Sequence, residues 1–190
     1  MSVNGNDALQ ETVSFQPTFE EVTFAGKTFN VARFDTVDDG MATPLVIPAA
    51  TPFSIFLMWR PADLDMTTSL ISSASLDWMM GTFGGGMLCY FSNWSAGAVV
   101  NTNDFYLFEV RITPGQPLTW AFINGVQTDL NPAFTGSSPP EQVMLGASGT
   151  TAYPGGCDAA EILIYDRLLS DEEAIGVRNY FQAEYNFLKL

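Results

Sequence analysis

The residues best able to do chemistry in this 190-residue chain are aromatic and acidic, and histidine is absent. Without imidazole, neither a Ser-His-Asp nor a Cys-His nucleophile can be built, and a zinc site has no imidazole ligands. Two cysteines, Cys89 and Cys157, are too few to close a structural zinc site or to define a disulfide framework. Two buried free thiols are the expected state for them in a reducing cell. Ser148 stands in Gly146-Ala147-Ser148-Gly149, where a strand pattern gives way to a loop, which is not a nucleophile elbow. The glycine-rich run from Gly81 to Gly86 lacks the Gly-Lys-Ser/Thr ending of a phosphate-binding loop and reads as a turn. What remains is recognition chemistry. Trp78 and the run Tyr90-Phe91-Ser92-Asn93-Trp94 place aromatic rings beside polar neighbours and loops, as a flat sugar-binding platform requires. Trp78, Tyr90, Asn93 and Trp94 are therefore the candidate carbohydrate-binding residues. Core packing competes at each tryptophan. At Trp94, flanked by Asn93 and Ser95, the two readings balance, whereas Trp59 and Trp120 sit inside strand patterns and read as core.

Composition limits the partners. The net charge is −14, from 21 acidic and 7 basic residues. Phosphate backbones and anionic membrane surfaces are bound through clustered Lys and Arg, so neither nucleic acid nor membrane is an expected partner. Apolar residues make up 47% and charged residues only 15%, against about 25% charged in an ordinary soluble domain. Two readings of that deficit stand: a large core under a Ser/Thr/Asn-rich surface, or apolar surface covered by copies of the chain or by a partner. The N-terminus MSVNGNDALQETVSF has neither a basic start nor an apolar segment, so no signal peptide is expected, and no apolar run reaches bilayer-spanning length.

These residues must be positioned by strands. Short apolar or alternating runs recur along the chain, separated by turn signals every eight to twelve residues or so. Phe53–Trp59, FSIFLMW, is apolar almost throughout, as a strand covered on both sides should be. Val22–Phe24 and Thr28–Phe34 flank Gly26-Lys27 and predict a hairpin. Asn124-Gly125 between Leu118–Ile123 and Val126–Leu130 predicts a two-residue type I′ turn. Pro44, Pro48 and Pro52 exclude a long helix between Gly40 and Thr51. Ala160–Asp166 predicts a closing strand. Ser170 with Glu173 three residues later is a capping box, followed by an apolar stripe at Ala174, Val177, Phe181, Tyr185 and Leu188. The expectation is an all-β, two-sheet antiparallel sandwich over 21–190 with a short C-terminal helix. It is preceded by an N-terminal arm, residues 1–20, whose Val13, Phe15 and Phe19 would dock on a neighbour.

Several segments, in order, resemble the laminin-G-like (concanavalin A-like) jelly-roll domains: VARFDTVDDGM, TPFSIFLMWRP, LTWAFINGVQ, VMLGAS, YPGGCDAAE and the ending AEILIYDRLLSDEE…VRNYFQAEYNF. The resemblance implies a jelly roll whose closing strand lies beside a strand from the N-terminal part. Domains similar to these sometimes hold a calcium ion, which takes six to eight oxygens, at the sandwich rim. Asp35, Asp38 and Asp39 form the densest acidic turn. They are the candidate calcium ligands, joined by Asp158 if the first and last strands pair; the other reading is a turn of solvated carboxylates. Enzymes similar to this family usually carry Glu-x-Asp-x-x-Glu on one strand, and that run is missing. Asp63 and Asp65 follow Pro61 and read as loop residues, and simple alternation puts Asp158 and Glu161 on opposite strand faces. A non-enzymatic protein is expected. Domains similar to this one recur on bacteriophage virions as capsid decoration and fibre parts. That resemblance implies a decoration protein assembled in the host cytoplasm onto the virion surface, with copies of itself and other virion proteins as partners. The alternative is a lectin-like module that binds cell-surface glycans.

Overall fold

A computed structural model describes residues 8–35, 38–48, 51–64, 68–74, 78–83, 86–91, 94–113, 120–128, 141–146 and 156–186, with the backbone alone at 83, 87–91, 94–98, 120 and 141. The strands are β1 (Thr18–Phe24), β2 (Lys27–Phe34), β3 (Gly40–Ile47), β4 (Phe53–Pro61), β5 (Thr68–Ser73), β6 (Trp78–Phe83), β7 (Gly86–Phe91), β8 (Trp94–Val99), β9 (Tyr106–Ile112), β10 (Trp120–Ile123), β11 (Val126–Gln127), β12 (Glu141–Gly146) and β13 (Cys157–Tyr165). A 3₁₀ turn, Val13–Phe15, precedes them and one helix, α1 (Asp171–Tyr185), follows. They form a seven-stranded sheet, β1-β2-β13-β4-β9-β10-β11, facing a six-stranded sheet, β3-β12-β5-β6-β7-β8. Every strand pair described is antiparallel. This is the expected two-sheet sandwich, and the closing strand β13 lies between β2 and β4 as expected.

Strand alternation explains the two hydrophobic layers. On β4, Phe53, Ile55, Leu57 and Trp59 point between the sheets, where they meet Trp78, Met80, Phe108 and Val110. Phe56 and Met58 point the other way, into a second cluster with Leu107, Leu169, Ala174, Phe181 and Tyr185. The seven-stranded sheet is thus covered on both faces, by its partner sheet and by α1. That is why FSIFLMW carries no polar alternation.

Local signals decide the ends of the elements. Ser170 Oγ accepts the Glu173 N–H at 3.2 Å, and the Ser170 N–H donates to Glu173 Oε2 at 2.9 Å, so both halves of the capping box are made. Hydrogen bonding from Arg167, and then from the Ser170 backbone, holds the Glu173 carboxyl down to about 2. Ser170→Ala should cost roughly 1 kcal/mol, a loss of about 2–4 °C in a thermal melt; an unchanged melting temperature would remove the cap from the list of stabilising features. Leu188 of the expected stripe lies outside the described residues.

One expectation needs correction. The first hairpin turns on Ala25-Gly26, not Gly26-Lys27: Phe24 pairs with Lys27, and Ala25 and Gly26 have φ of 50° and 84°. Both central residues of a type I′ turn need positive φ, which glycine adopts freely and alanine at a cost of about 1–2 kcal/mol. Ala25→Asn should therefore raise stability by about 0.5–1 kcal/mol, read as a melting temperature roughly 2–4 °C higher; a fall would show that the turn relaxes in solution. The expected I′ turn at Asn124-Gly125 is present, with φ of 49° and 75°. The proline-rich stretch after Gly40, where a long helix is excluded, is a strand, β3. It runs along the sheet edge, where the missing N–H of Pro44 can be accommodated. Leu9 bridges Ala42 from the open side, exchanging hydrogen bonds of 2.8 and 2.9 Å. The N-terminal residues are thus tied to the sandwich at Leu9, and β1 begins at Thr18, ahead of the expected boundary at residue 20. Val13 is 79% exposed and Phe19 78%, with Phe15 also exposed.

Candidate functional site

The aromatic candidates lie on the six-stranded sheet. Its registers align Ala42, Met144, Ser72, Met79, Tyr90 and Trp94 as successive cross-strand partners through all six strands. The neighbouring row, Met41, Leu145, Ile71 and Met80, packs into the core between the sheets. Because strand positions alternate, the first row is turned away from the seven-stranded sheet, although Ser72 and Met79 within it are fully buried. Tyr90 and Trp94 are therefore direct partners on the face turned away from the seven-stranded sheet. Their side chains, and Asn93 altogether, lie outside the described residues. In the same row Ser72 Oγ is buried with no hydrogen-bond partner among the described residues. A buried polar group of this kind calls for a partner.

Trp78 is placed otherwise. One position before Met79, it points into the core, is fully buried, and its ring lies 5.8 Å from that of Phe53. It is a core side chain and offers no surface platform. Trp59 is likewise core. Cys157 is a free thiol at the inner end of β13, and burial, with the neighbouring Asp158 charge, pushes its ionisation well above the usual range, which leaves it unreactive.

The acidic candidates separate into two places. Asp35, Asp38 and Asp39 bring a carboxylate oxygen each to within 4.8 Å of one another. The loop uses these oxygens itself. Asp39 Oδ2 accepts the Asp35 N–H at 2.8 Å, and Asp35 Oδ1 accepts the N–H groups of Asp38 and Asp39 at 3.1 and 3.4 Å. Burial, followed by the charges of Asp35 and Asp38 acting against the backbone hydrogen bond, raises the Asp39 pKa. This is the hydrogen bonding of an Asx-type turn. Asp158 does not join it. It lies on the outer face of the seven-stranded sheet between two guanidiniums. Arg33 donates from Nε at 2.7 Å and from Nη2 at 3.1 Å, and Arg60 donates from Nε at 3.1 Å and also from Nη2. Oδ2 accepts three of these bonds and Oδ1 one, so Asp158 is committed to the two arginines and not to the acidic turn.

A bulge between Ala159 and Glu161 shifts the register of β13 against β4. Asp158 pairs with Arg60 and Glu161 with Met58, two positions apart, so Asp158 and Glu161 share the outer face instead of lying on opposite ones. The bulge sends Glu161, Leu163 and Tyr165 toward α1, where a groove of about 430 Å³ separates them from the helix. Only the odd residue at Ala160 produces this, and no residue type there announces it.

No protein-family model matches the sequence, and no curated protein matches it. Solved structures match in fold. Domain 4 of AbnA, a GH43 extracellular arabinanase from Geobacillus stearothermophilus solved with arabinotriose, superposes with a TM-score of 0.59 at 15% identity, over 85% of this chain and 81% of that one. The binding domain of Paraclostridial Mosquitocidal Protein 1 gives a TM-score of 0.65 at 13% identity, covering 94% and 48%. A structure of botulinum neurotoxin type C, whose cell entry depends on interaction with two ganglioside molecules, gives 0.60 at 11%, covering 88% and 46%. The chain thus spans about half the length of the two toxin chains. These likenesses agree with a two-sheet antiparallel β-sandwich fold.

Proposed function

We propose that this protein is a non-catalytic glycan-recognition module, and that its binding face is the outer surface of the six-stranded sheet around Tyr90 and Trp94. The observation that carries this reading is their register. Two aromatic residues from neighbouring strands fall opposite one another on the face turned from the core, in a row that also holds Ser72, whose buried hydroxyl has no hydrogen-bond partner among the described residues. Adjacent aromatic positions suit the apolar face of a sugar ring, with nearby hydroxyls and amides giving orientation. The fold-level likeness to a domain solved with arabinotriose and to a ganglioside-dependent toxin supports the same choice. A glycan array that includes arabino-oligosaccharides and gangliosides tests it. Binding is expected, and Trp94→Ala should abolish it while the circular dichroism spectrum stays unchanged. Silence across the array, or full binding by the variant, would refute the proposal.

A second reading rests on a different observation. Leu9, Val13, Phe15 and Phe19 are exposed on the N-terminal segment and the start of β1, apolar side chains that suit burial against another protein. In this reading the chain decorates a virion, assembled in the host cytoplasm from copies of itself and other virion proteins. Light scattering coupled to size exclusion, with mass spectrometry of purified particles, distinguishes the two. A monomer absent from particles would exclude assembly and leave the glycan reading untouched.

A further inference from the structure

The groove between β13 and α1 has a chemistry that neither reading uses. One wall is β13, with Glu161 and Tyr165; the other is the helix flank, with Glu173, Gly176, Val177 and Tyr180. The two walls are held apart while the rest of the helix packs closely: Ala174, Phe181 and Tyr185 are buried against the sheet, but a Cβ added at Gly176 would meet nothing within 4 Å. Beyond Ala159 the described pairing of β13 with β2 stops, and the strand continues paired with β4 alone, so this side of the groove is open. A volume of about 430 Å³ falls in the range of small-ligand sites, about 300–1,000 Å³.

The charges in the groove are unequal. Glu173 is committed to Arg167 at 2.8 Å and to the helix cap. Glu161 has no cation partner among the described residues. Its Oε1 accepts the Tyr180 hydroxyl at 2.8 Å, and its Oε2 the Tyr185 hydroxyl at 3.2 Å. Those bonds orient the carboxylate without neutralising it, and each oxygen keeps a free lone pair. The Glu161 hydrogen bond, followed by burial, pushes the Tyr180 hydroxyl up to about 12, and burial with the Glu161 charge raises Tyr185 further, so both phenols remain donors at neutral pH. An oriented, uncompensated carboxylate beside the rings of Tyr165 and Tyr180 attracts a cation twice, by its charge and by the negative faces of the rings. The net charge of −14 adds a long-range field of the same sign.

We propose that this groove is a binding site for an organic ammonium group, with Glu161 as its counter-ion and Tyr165 and Tyr180 as its aromatic walls. An alkylammonium suits the site better than a bare metal ion, since the floor is apolar at Val177 and Leu163 and gives a metal few oxygens. A neutral ligand stacked on the tyrosines would not need the carboxylate.

The test uses the full chain and two probes of nearly equal shape: choline chloride and its uncharged isostere 3,3-dimethyl-1-butanol, titrated by NMR. Choline should give saturable shifts at Tyr165, Val177 and Tyr180, and the isostere should bind at least about tenfold more weakly. Glu161→Gln, which keeps an acceptor for the tyrosine hydroxyls, should weaken choline by a similar factor. Gly176→Leu, which fills the groove from an open helix position, should block it. Absence of saturation by choline, equal binding of the isostere, or wild-type affinity in both variants would overturn the proposal. If Glu161→Gln fails to fold, the two-probe comparison and Gly176→Leu still decide. The glycan face is on the other sheet, so its failure or success does not move this result.

Discussion

Glu109→Ala should destabilise the protein by about 3–5 kcal/mol and release the terminal helix from the sheet. Glu109 is 1% exposed, on the outer face of β9 under α1, and Arg111, two positions on, is 3% exposed. Arg178 of the helix donates to Glu109 from Nε at 2.6 Å and from Nη2 at 3.1 Å, while Arg111 Nε lies 3.0 Å from Glu109 Oε1. Arg111 also donates from Nη1 to the Leu169 carbonyl at 3.1 Å and to Asp171 at 2.8 Å, which fastens the first turn of α1. Phe122 lies under both guanidiniums, 4.4 Å from Arg178 and 5.6 Å from Arg111. Removing the carboxylate leaves two cations at a dry interface facing each other. The penalty is that of an unpaired buried charge rather than of one lost contact. Urea denaturation measures it, and a loss below about 1 kcal/mol would show that water already reaches the network. The double variant Glu109→Leu/Arg178→Leu should recover much of the loss, since Arg111 keeps Asp171 and the Leu169 carbonyl, and an apolar pair of similar size costs no desolvation.

Asp158→Asn should cost about 2–3 kcal/mol, less because its partners are partly hydrated. Asp158 is 7% exposed in its side chain, but Arg33 is 39% and Arg60 24% exposed. Arg60 packs over the Phe105 ring at 4.8 Å, and Arg33 also holds Glu20, so this node ties β1, β2, β13 and β4 together. The effect depends on pH with a definite sign. Burial alone would raise the Asp158 pKa, but the hydrogen bonds from Arg33 and Arg60 outweigh it and hold the carboxyl below its ordinary value. A depressed folded-state pKa means that the stabilisation is complete above the unfolded value, about 3.9, and is lost as pH falls through the lower folded value. The gap between wild type and Asp158→Asn should therefore be widest near neutrality and should close below about pH 4. A gap that stays constant through that range would mean that the carboxylate charge is not what the arginines need.

Much of the architecture was legible because its signals are local. Ser170 and Glu173 are three residues apart, and a capping box needs nothing else to form. Asn124-Gly125 specifies its own turn through the φ values those two residues tolerate. Ala25-Gly26 was misplaced by one position for the same reason, since alanine carries no sign of the positive φ that the hairpin imposes on it. β3 is not announced by its sequence because proline usually interrupts a strand; at a sheet edge the missing N–H is tolerated.

The candidate sites were less legible, since they depend on which strands become neighbours. Trp78 and Met79 are adjacent in sequence, and only the register sends one into the core and the other to the row of Tyr90 and Trp94. Asp158 was grouped with Asp35, Asp38 and Asp39 by charge and by the expected proximity of the first and last strands. Pairing sets it instead between Arg33 and Arg60, whose guanidiniums hold its carboxylate by charge and hydrogen bonds.

By itself, the sequence determined the fold class, the turn chemistry, the helix and its cap, and the absence of imidazole chemistry, because each follows from residue type over a few neighbouring positions. Tertiary structure alone decided which residues share a face, which carboxylates are neutralised, and that Glu161 stands in a groove with two tyrosine hydroxyls and no cation among the described residues. The physical reason is the two-residue period of a strand: one bulge at Ala160 reverses every face that follows it, and the energy that selects that register comes from residues a hundred positions away.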